Sequence, residues 1–240
     1  MMRSRAALAV FLLFIATAPL LLAKFPFYVT LLNYIALATL VSLGLVLLTG
    51  VVGLMSFGQQ AFTGLAAYTT AVLTTVYGIS PWIALLAAMA ITAIFGLILG
   101  VISLRLSGHY LALSTIAWGI SLYYVFGNLP ILGQFTGIDN IPPVSVLGLT
   151  LDTGAKSYYL NWILTIAALL AARNLLDSRS GRAIRALRHR SVMAESFGVD
   201  TALLKLIVFL YAALLAGLSG WLYAHYLRFV SPHAFGINAG

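Results

Sequence analysis

The chain has 240 residues, 62% hydrophobic and 8% charged, with a mean hydropathy of +1.05. A soluble domain is about half apolar and a quarter charged; 13 Lys+Arg and 5 Asp+Glu cannot clothe a water-exposed surface of this size. A soluble globular enzyme, a disordered chain and a coiled coil are excluded, which leaves an all-α polytopic membrane protein.

A span needs about 20 mostly apolar residues to cross about 30 Å of hydrocarbon. In chain order the candidates are Ala6–Ala23, Tyr28–Leu48, Ala61–Tyr77, Pro81–Leu104, His109–Phe126, Tyr158–Arg173 and Leu204–Tyr226, about seven in all. None carries a charge away from its ends, as expected when a central charge costs about 2.5–3.5 kcal/mol to insert. The first could also be a secretory signal, with Arg3 and Arg5 ahead of it and Ala16-Thr17-Ala18 as a cleavage site. Pro19 directly after that site and the apolar run through Leu22 favour an uncleaved span.

Placing the N-terminus in the cytoplasm puts Arg3, Arg5, Arg105, Arg173, Arg179, Arg182, Arg185, Arg188, Arg190 and Lys205 inside. Lys24, Lys156 and Arg228 fall outside, so the short loops obey the positive-inside bias. The net charge of +8 is thereby placed by topology, and no nucleic-acid partner is expected.

Between the second and third candidates, Thr49–Thr63 carries Gly50, Gly53 and Gly58 with the polar Ser56, Gln59 and Gln60. Glycine-broken helices at membrane depth face protein or a water-filled cavity, and mark transport sites. This predicts a broken or re-entrant segment near Gly50–Thr63 on the translocation pathway. An ordinary cytoplasmic turn is the competing reading, weakened by the absence of Lys and Arg. Further along, Thr92, Gly96 and Gly100 recur every four residues, a spacing for close helix packing. Gly127–Ser157 reads as an external loop with a short hairpin around Val144–Leu151.

Isolated polar residues in the spans (Asn33, Ser114, Thr115, Ser121, Asn161) read individually as bonded to their own helix. His109, His225 and His233 lie near span ends and suit interfacial positions.

Asp177–Thr201 is a basic cytoplasmic loop. Arg182, Arg185 and Arg188 alternate with Ala183, Ile184 and Leu187, predicting an amphipathic helix. Ser191 then reads as an N-cap for a second short helix, Val192–Phe197, ended by Gly198. The pair either lies on anionic lipid or docks into a cytosolic partner, Ala194 and Phe197 facing a hydrophobic cleft.

Phosphate-loop, metalloprotease and nucleophile-elbow motifs are absent, as are Cys and intramembrane acids. No catalytic residue, metal or cofactor is expected, and any ATP-driven step would need a separate nucleotide-binding chain or domain.

Five blocks in order resemble the permease subunits of bacterial branched-chain amino-acid ABC transporters, the LivM-type member of the pair. They are Leu48–Tyr68, Leu104–Thr115, Thr136–Pro142, Ser180–Gly198 and Lys205–Pro232. The resemblance implies an inner-membrane importer subunit with Met193, Ala194, Glu195, Phe197 and Gly198 as the coupling helix. It implies a second permease completing a heterodimeric pore, and two cytosolic ATPase subunits or a fused ATPase domain. A periplasmic or lipid-anchored substrate-binding protein completes the set, with membrane lipid around it. On this reading residues 1–240 are one permease domain, residues 177–201 are its coupling loop, and further spans or a fused ATPase follow Gly240. A urea or short-amide permease, or a membrane-embedded lipid-handling enzyme, is the alternative.

Overall fold

A computed structural model describes residues 14–22, 24–104, 109–146, 148–196 and 200–236. Residues 14–21 are helical; the rest of the first candidate span lies outside the described residues. Seven further helices follow: α1 Pro26–Leu45, α2 Gln59–Thr75, α3 Pro81–Ser103, α4 His109–Asn128, α5 Gly154–Asp177, α6 Arg179–Ser196 and α7 Thr201–Leu227. Proline opens α1 and α3, where its missing N–H costs nothing. Thr153 and Asp200 cap α5 and α7 through side-chain oxygens.

Five helical stretches among the described residues are long and apolar enough to cross a bilayer: Pro26–Val52, α3, α4, α5 and α7. Their exposed Leu, Ile and Phe side chains, such as Leu86, Ile94, Ile163 and Leu170, form the lipid-facing surface. α2 differs. Its 17 residues reach about 25 Å at 1.5 Å each, and most of them, from Gln59 to Thr74, are buried in protein.

α7 is the central post, packing on α1, α2 and α3. Small residues make that possible. A Cβ on Gly220 would lie 2.1 Å from the Thr63 carbonyl oxygen, so α2 and α7 touch backbone to backbone. Gly96 and Gly100 receive Leu210, Ala213, Leu206 and Phe209, the close packing their spacing predicts.

Residues 129–153 fold over one end of the bundle. The predicted hairpin is β1 (Ser145–Val146) paired antiparallel with β2 (Leu149–Thr150). Four hydrogen-bonding sites hold this cap down. Ile138 and Val230 exchange backbone bonds of 2.8 and 2.9 Å. Trp82 Nε1 donates to Ser145 O at 2.9 Å, and Arg228 Nε to Ile141 O at 3.2 Å. His225 Nδ1 meets Pro142 O at 2.7 Å; a carbonyl only accepts, so Nδ1 carries the proton. His225 is therefore buried beneath the cap rather than interfacial. At the start of α5, Lys156 bonds Asp152 at 2.8 Å and, chiefly through that bond, holds the carboxyl below its ordinary pKa.

Two sequence expectations need correction. The basic loop is one continuous helix, α6, rather than two with a turn at Ser191. Residues 182–196 contain no Gly or Pro to stop it. Its start is fixed by Ser178, whose hydroxyl accepts from Gly181 N at 3.0 Å, while Gly181 sits against the last carbonyls of α5. The intramembrane asparagines also bond across helices: Asn161 Nδ2 donates to Asn33 Oδ1 at 2.8 Å, and Asn33 Nδ2 reaches Gly154 O. Thr115 and Ser121 do bond within their own helix, while Ser114 shares a 2.9 Å bond with Ser103 on α3.

A candidate translocation cleft and its amphipathic helix

The break lies where the glycines place it. α1 runs without interruption into a π-helical segment, Val46–Val52, containing Gly50. The wider turn ends at Gly53, whose φ of +80° is the left-handed conformation that glycine adopts without strain. Residues 53–58 are non-helical, and Gly58 is the N-cap of α2.

The break is turned partly inward: Ser56 and Gly58 are buried, while Gly53, Met55 and Phe57 are exposed. Gly58 packs on Thr115, and Phe57 N–H donates to the Thr115 hydroxyl at 3.1 Å. Thr115 is six residues into α4, about 9 Å from that helix's end. Leu99, Ser103 and Phe209 lie at the same level, lining a small void with Gly58 and Thr115.

The two glutamines part company. Gln60 lines a cleft of about 410 Å³ between α1, α2 and α7. Its walls run from Tyr34 to Ser42 along α1, about 12 Å, with Thr63 on α2 and Ser219 and Tyr223 on α7. Phe235, on a 3-10 turn at Pro232–Phe235, borders the far end. Thr63 and Ser219 spend their hydroxyls on Gln59 O and Leu37 O. The Gln60 carboxamide and the hydroxyls of Tyr34, Tyr223 and Ser42 remain as the wall's polar groups, among Leu37, Ala38, Val41 and Phe235. Among the described residues, no Lys, Arg, Asp or Glu borders the cleft. Such a wall suits a small solute with an aliphatic body and a polar end. Gln59 and Ser56 are buried beside the break instead, at 5% and 3% exposure.

α6 meets the break from the other side. Its apolar stripe is buried, Ile184 and Leu187 being 1% and 4% exposed, while Arg182 and Arg185 are exposed. That stripe shares one hydrophobic cluster with Leu47, Leu48 and Val52 of the π-helical segment. Met193, Ala194 and Glu195 lie on the last turns of α6; Glu195 is exposed and accepts from the Thr201 hydroxyl. The side chains of Arg188, Met193 and Ala194, and all of Phe197 and Gly198, lie outside the described residues. The sequence pointed to the break and to α6 separately. Their shared cluster had no sequence signal, because it joins segments more than a hundred residues apart. Among the described residues, no three His, Cys, Asp or Glu side chains are grouped to hold a metal.

Apolar spans around a central post, a helix broken at depth beside a polar-walled cleft, and an amphipathic helix on the break are the features of a polytopic membrane permease. Residues 27–240 match the family described as branched-chain amino acid transport system / permease component. The high-affinity branched-chain amino acid transport system permease proteins LivM of Salmonella typhimurium and Escherichia coli are each 31% identical over 220 residues. That covers 82% of this chain and 52% of theirs, so the chain spans about half the length of these relatives. The guanosine ABC transporter permease protein NupQ of Bacillus subtilis is 26% identical over 232 residues, 86% of this chain and 72% of its own. No solved structure matches the chain at a significant level. The chain belongs to the branched-chain amino acid transport permease family.

Proposed function

We propose that this chain is a pore-forming subunit of an ATP-binding-cassette importer that brings branched-chain amino acids into a bacterial cell. It sits in the inner membrane with its N-terminus in the cytoplasm, and it performs no chemistry itself. The observation that carries the reading is the joint placement of the Gln60-lined cleft, the helix break at its end, and α6 packed on the π-helical segment before that break. The 31% identity to LivM proteins supports the substrate class.

The partners are a second permease, two ATPase subunits or a fused ATPase domain, and an external substrate-binding protein. The segment Met193–Gly198 docks on the ATPase, and the arginines of α6 face the cytoplasm and anionic lipid. ATP binding on the partner favours one position of α6. Because Ile184 and Leu187 are embedded beside Leu47, Leu48 and Val52, moving α6 displaces the π-helical segment and with it residues 53–58. Gly50, Gly53 and Gly58 give that stretch its freedom, and Ser56, Gln59 and Gln60 give it polar groups for a passing solute. Only a contact that differs between the inward-open and outward-open states shifts the population.

The test is uptake of radiolabelled L-leucine by proteoliposomes holding the complete importer with ATP on the ATPase side. ATP-dependent accumulation is expected, with KM raised or rate lowered several-fold by Gln60→Leu. Absence of leucine uptake by the wild-type complex overturns the reading.

A further inference from the structure

α2 starts within the protein, and its first turn is not closed by a side chain: Gly58, the N-cap, supplies none. The leading N–H groups of a helix have no acceptor in their own helix, and the helix dipole concentrates partial positive charge there. Of these groups, the Ala61 N–H turns back to Gly58 O at 3.1 Å.

Two buried polar side chains stand at this turn without a partner. Neither Oε1 nor Nε2 of Gln59 makes a hydrogen bond, and neither does the Ser56 hydroxyl. The buried amides and hydroxyls of Asn33, Asn161, Thr63, Thr70, Thr115, Thr165 and Ser219 are bonded, the hydroxyls of Tyr68 and Thr92 are not, and Gln59 is the buried amide with both of its polar atoms unpaired among the described residues. An unpaired buried amide is costly, so one held at a helix start marks a place where something else supplies the partner. The Cα–Cβ bonds of a helix tilt toward its N-terminus, so the Gln59 side chain, on the first residue of α2, lies over the opening turn.

We propose that the opening turn of α2, with the Gln59 carboxamide and the Ser56 hydroxyl, binds the carboxylate of the amino acid as it passes. The inference rests on the translocation reading above. Gln60, the next residue, borders the cleft, while Gln59 and Ser56 are enclosed beside it, so the carboxylate reaches this turn when the break opens. Dipoles and N–H donors select an anion over a cation, as at other helix starts that hold carboxylates or phosphates. No Lys or Arg lies between Thr49 and Thr63, so this stretch holds the carboxylate with dipoles, and further movement of the break releases it.

The experiment uses the complete importer purified without its substrate-binding protein, in a thermal-shift titration with three probes. They are L-leucine, 4-methylpentanoate (its skeleton with the carboxylate only) and 3-methylbutylamine (its skeleton with the ammonium only). Leucine and 4-methylpentanoate are expected to raise the melting temperature and the amine is not. Ser56→Ala with Gln59→Leu is expected to fold as well as wild type, since it removes unpaired groups. It weakens both carboxylate probes by about tenfold or more. Gln59→Glu, similar in size but carrying like charge, is expected to abolish their effect. Equal stabilisation by the amine and the acid, or unchanged leucine affinity in the double variant, overturns the carboxylate site. In the uptake assay with the substrate-binding protein restored, a wild-type importer that moves no leucine overturns the translocation reading instead. One that moves leucine with the double variant unchanged in KM and rate overturns only the site.

Discussion

Asn161 Nδ2 donates to Asn33 Oδ1 at 2.8 Å, joining α1 to α5 at a level where both residues are fully buried. The bond closes a chain of polar contacts: Asn33 Nδ2 reaches Val29 O and Gly154 O, and Thr165 Oγ1 reaches Ala36 O. In lipid these bonds replace the hydrophobic drive that packs helices in water. Asn161→Ala leaves the Asn33 oxygen buried and unpaired, an expected loss of about 1–3 kcal/mol. The Asn33/Asn161 double-mutant cycle should give a coupling of about 0.6–1.7 kcal/mol, read from unfolding in mixed micelles.

At Gly220, α7 touches the backbone of α2. Gly220→Ala forces its methyl against the Thr63 carbonyl, which is backbone and cannot swing away. A loss of about 2 kcal/mol or more is expected, with lower yield of folded protein in detergent. Gly119→Ala on α4, where an added Cβ meets nothing within 4 Å, is expected to leave yield unchanged.

Ile184→Asp buries a charge in the cluster that ties α6 to the π-helical segment. Insertion should survive, because α6 is not a span. Substrate-stimulated ATP hydrolysis by the assembled importer is expected to fall to the unstimulated rate. Retained stimulation shows that the α6–segment contact transmits nothing.

Phe197→Asp tests the docking end of the same element. The variant should insert normally and fail to co-purify with the ATPase subunits; unchanged co-purification removes Phe197 from the docking surface.

Lys156→Met should raise the Asp152 pKa toward its ordinary value, observable by NMR titration of the labelled protein. Because the folded pKa lies below the unfolded one, the bond's contribution is present above the ordinary carboxylate pKa and is lost as pH falls through the folded value. Both side chains are half exposed, so global stability should barely respond.

Much of the architecture was legible because membrane insertion is a local, compositional property. The uninterrupted apolar runs at Pro81–Leu104 and Leu204–Tyr226 define spans without reference to anything they touch. Glycine's access to positive φ made the break at Gly53 legible, and threefold arginine spacing did the same for the face of α6. Ser191 misled because a serine offers a cap only where the chain also leaves the helix, and no Gly or Pro makes it leave there. His225 misled because nothing in its neighbours on α7 reveals that Pro142 lies above it.

The sequence alone determined that this chain lives in lipid, that one helix is broken by glycines, and which family it resembles. All of these follow from residue types and their order along the chain. The tertiary structure decided that α2 is wrapped in protein, that Gln60 faces a cleft while Gln59 is enclosed, and that Asn33 pairs with Asn161. It also decided that α6 rests on the π-helical segment before the break. Each of these is a meeting of distant segments, set by which small residues let backbones approach and which buried polar groups must find partners. No stretch of sequence read by itself contains both sides of such a contact.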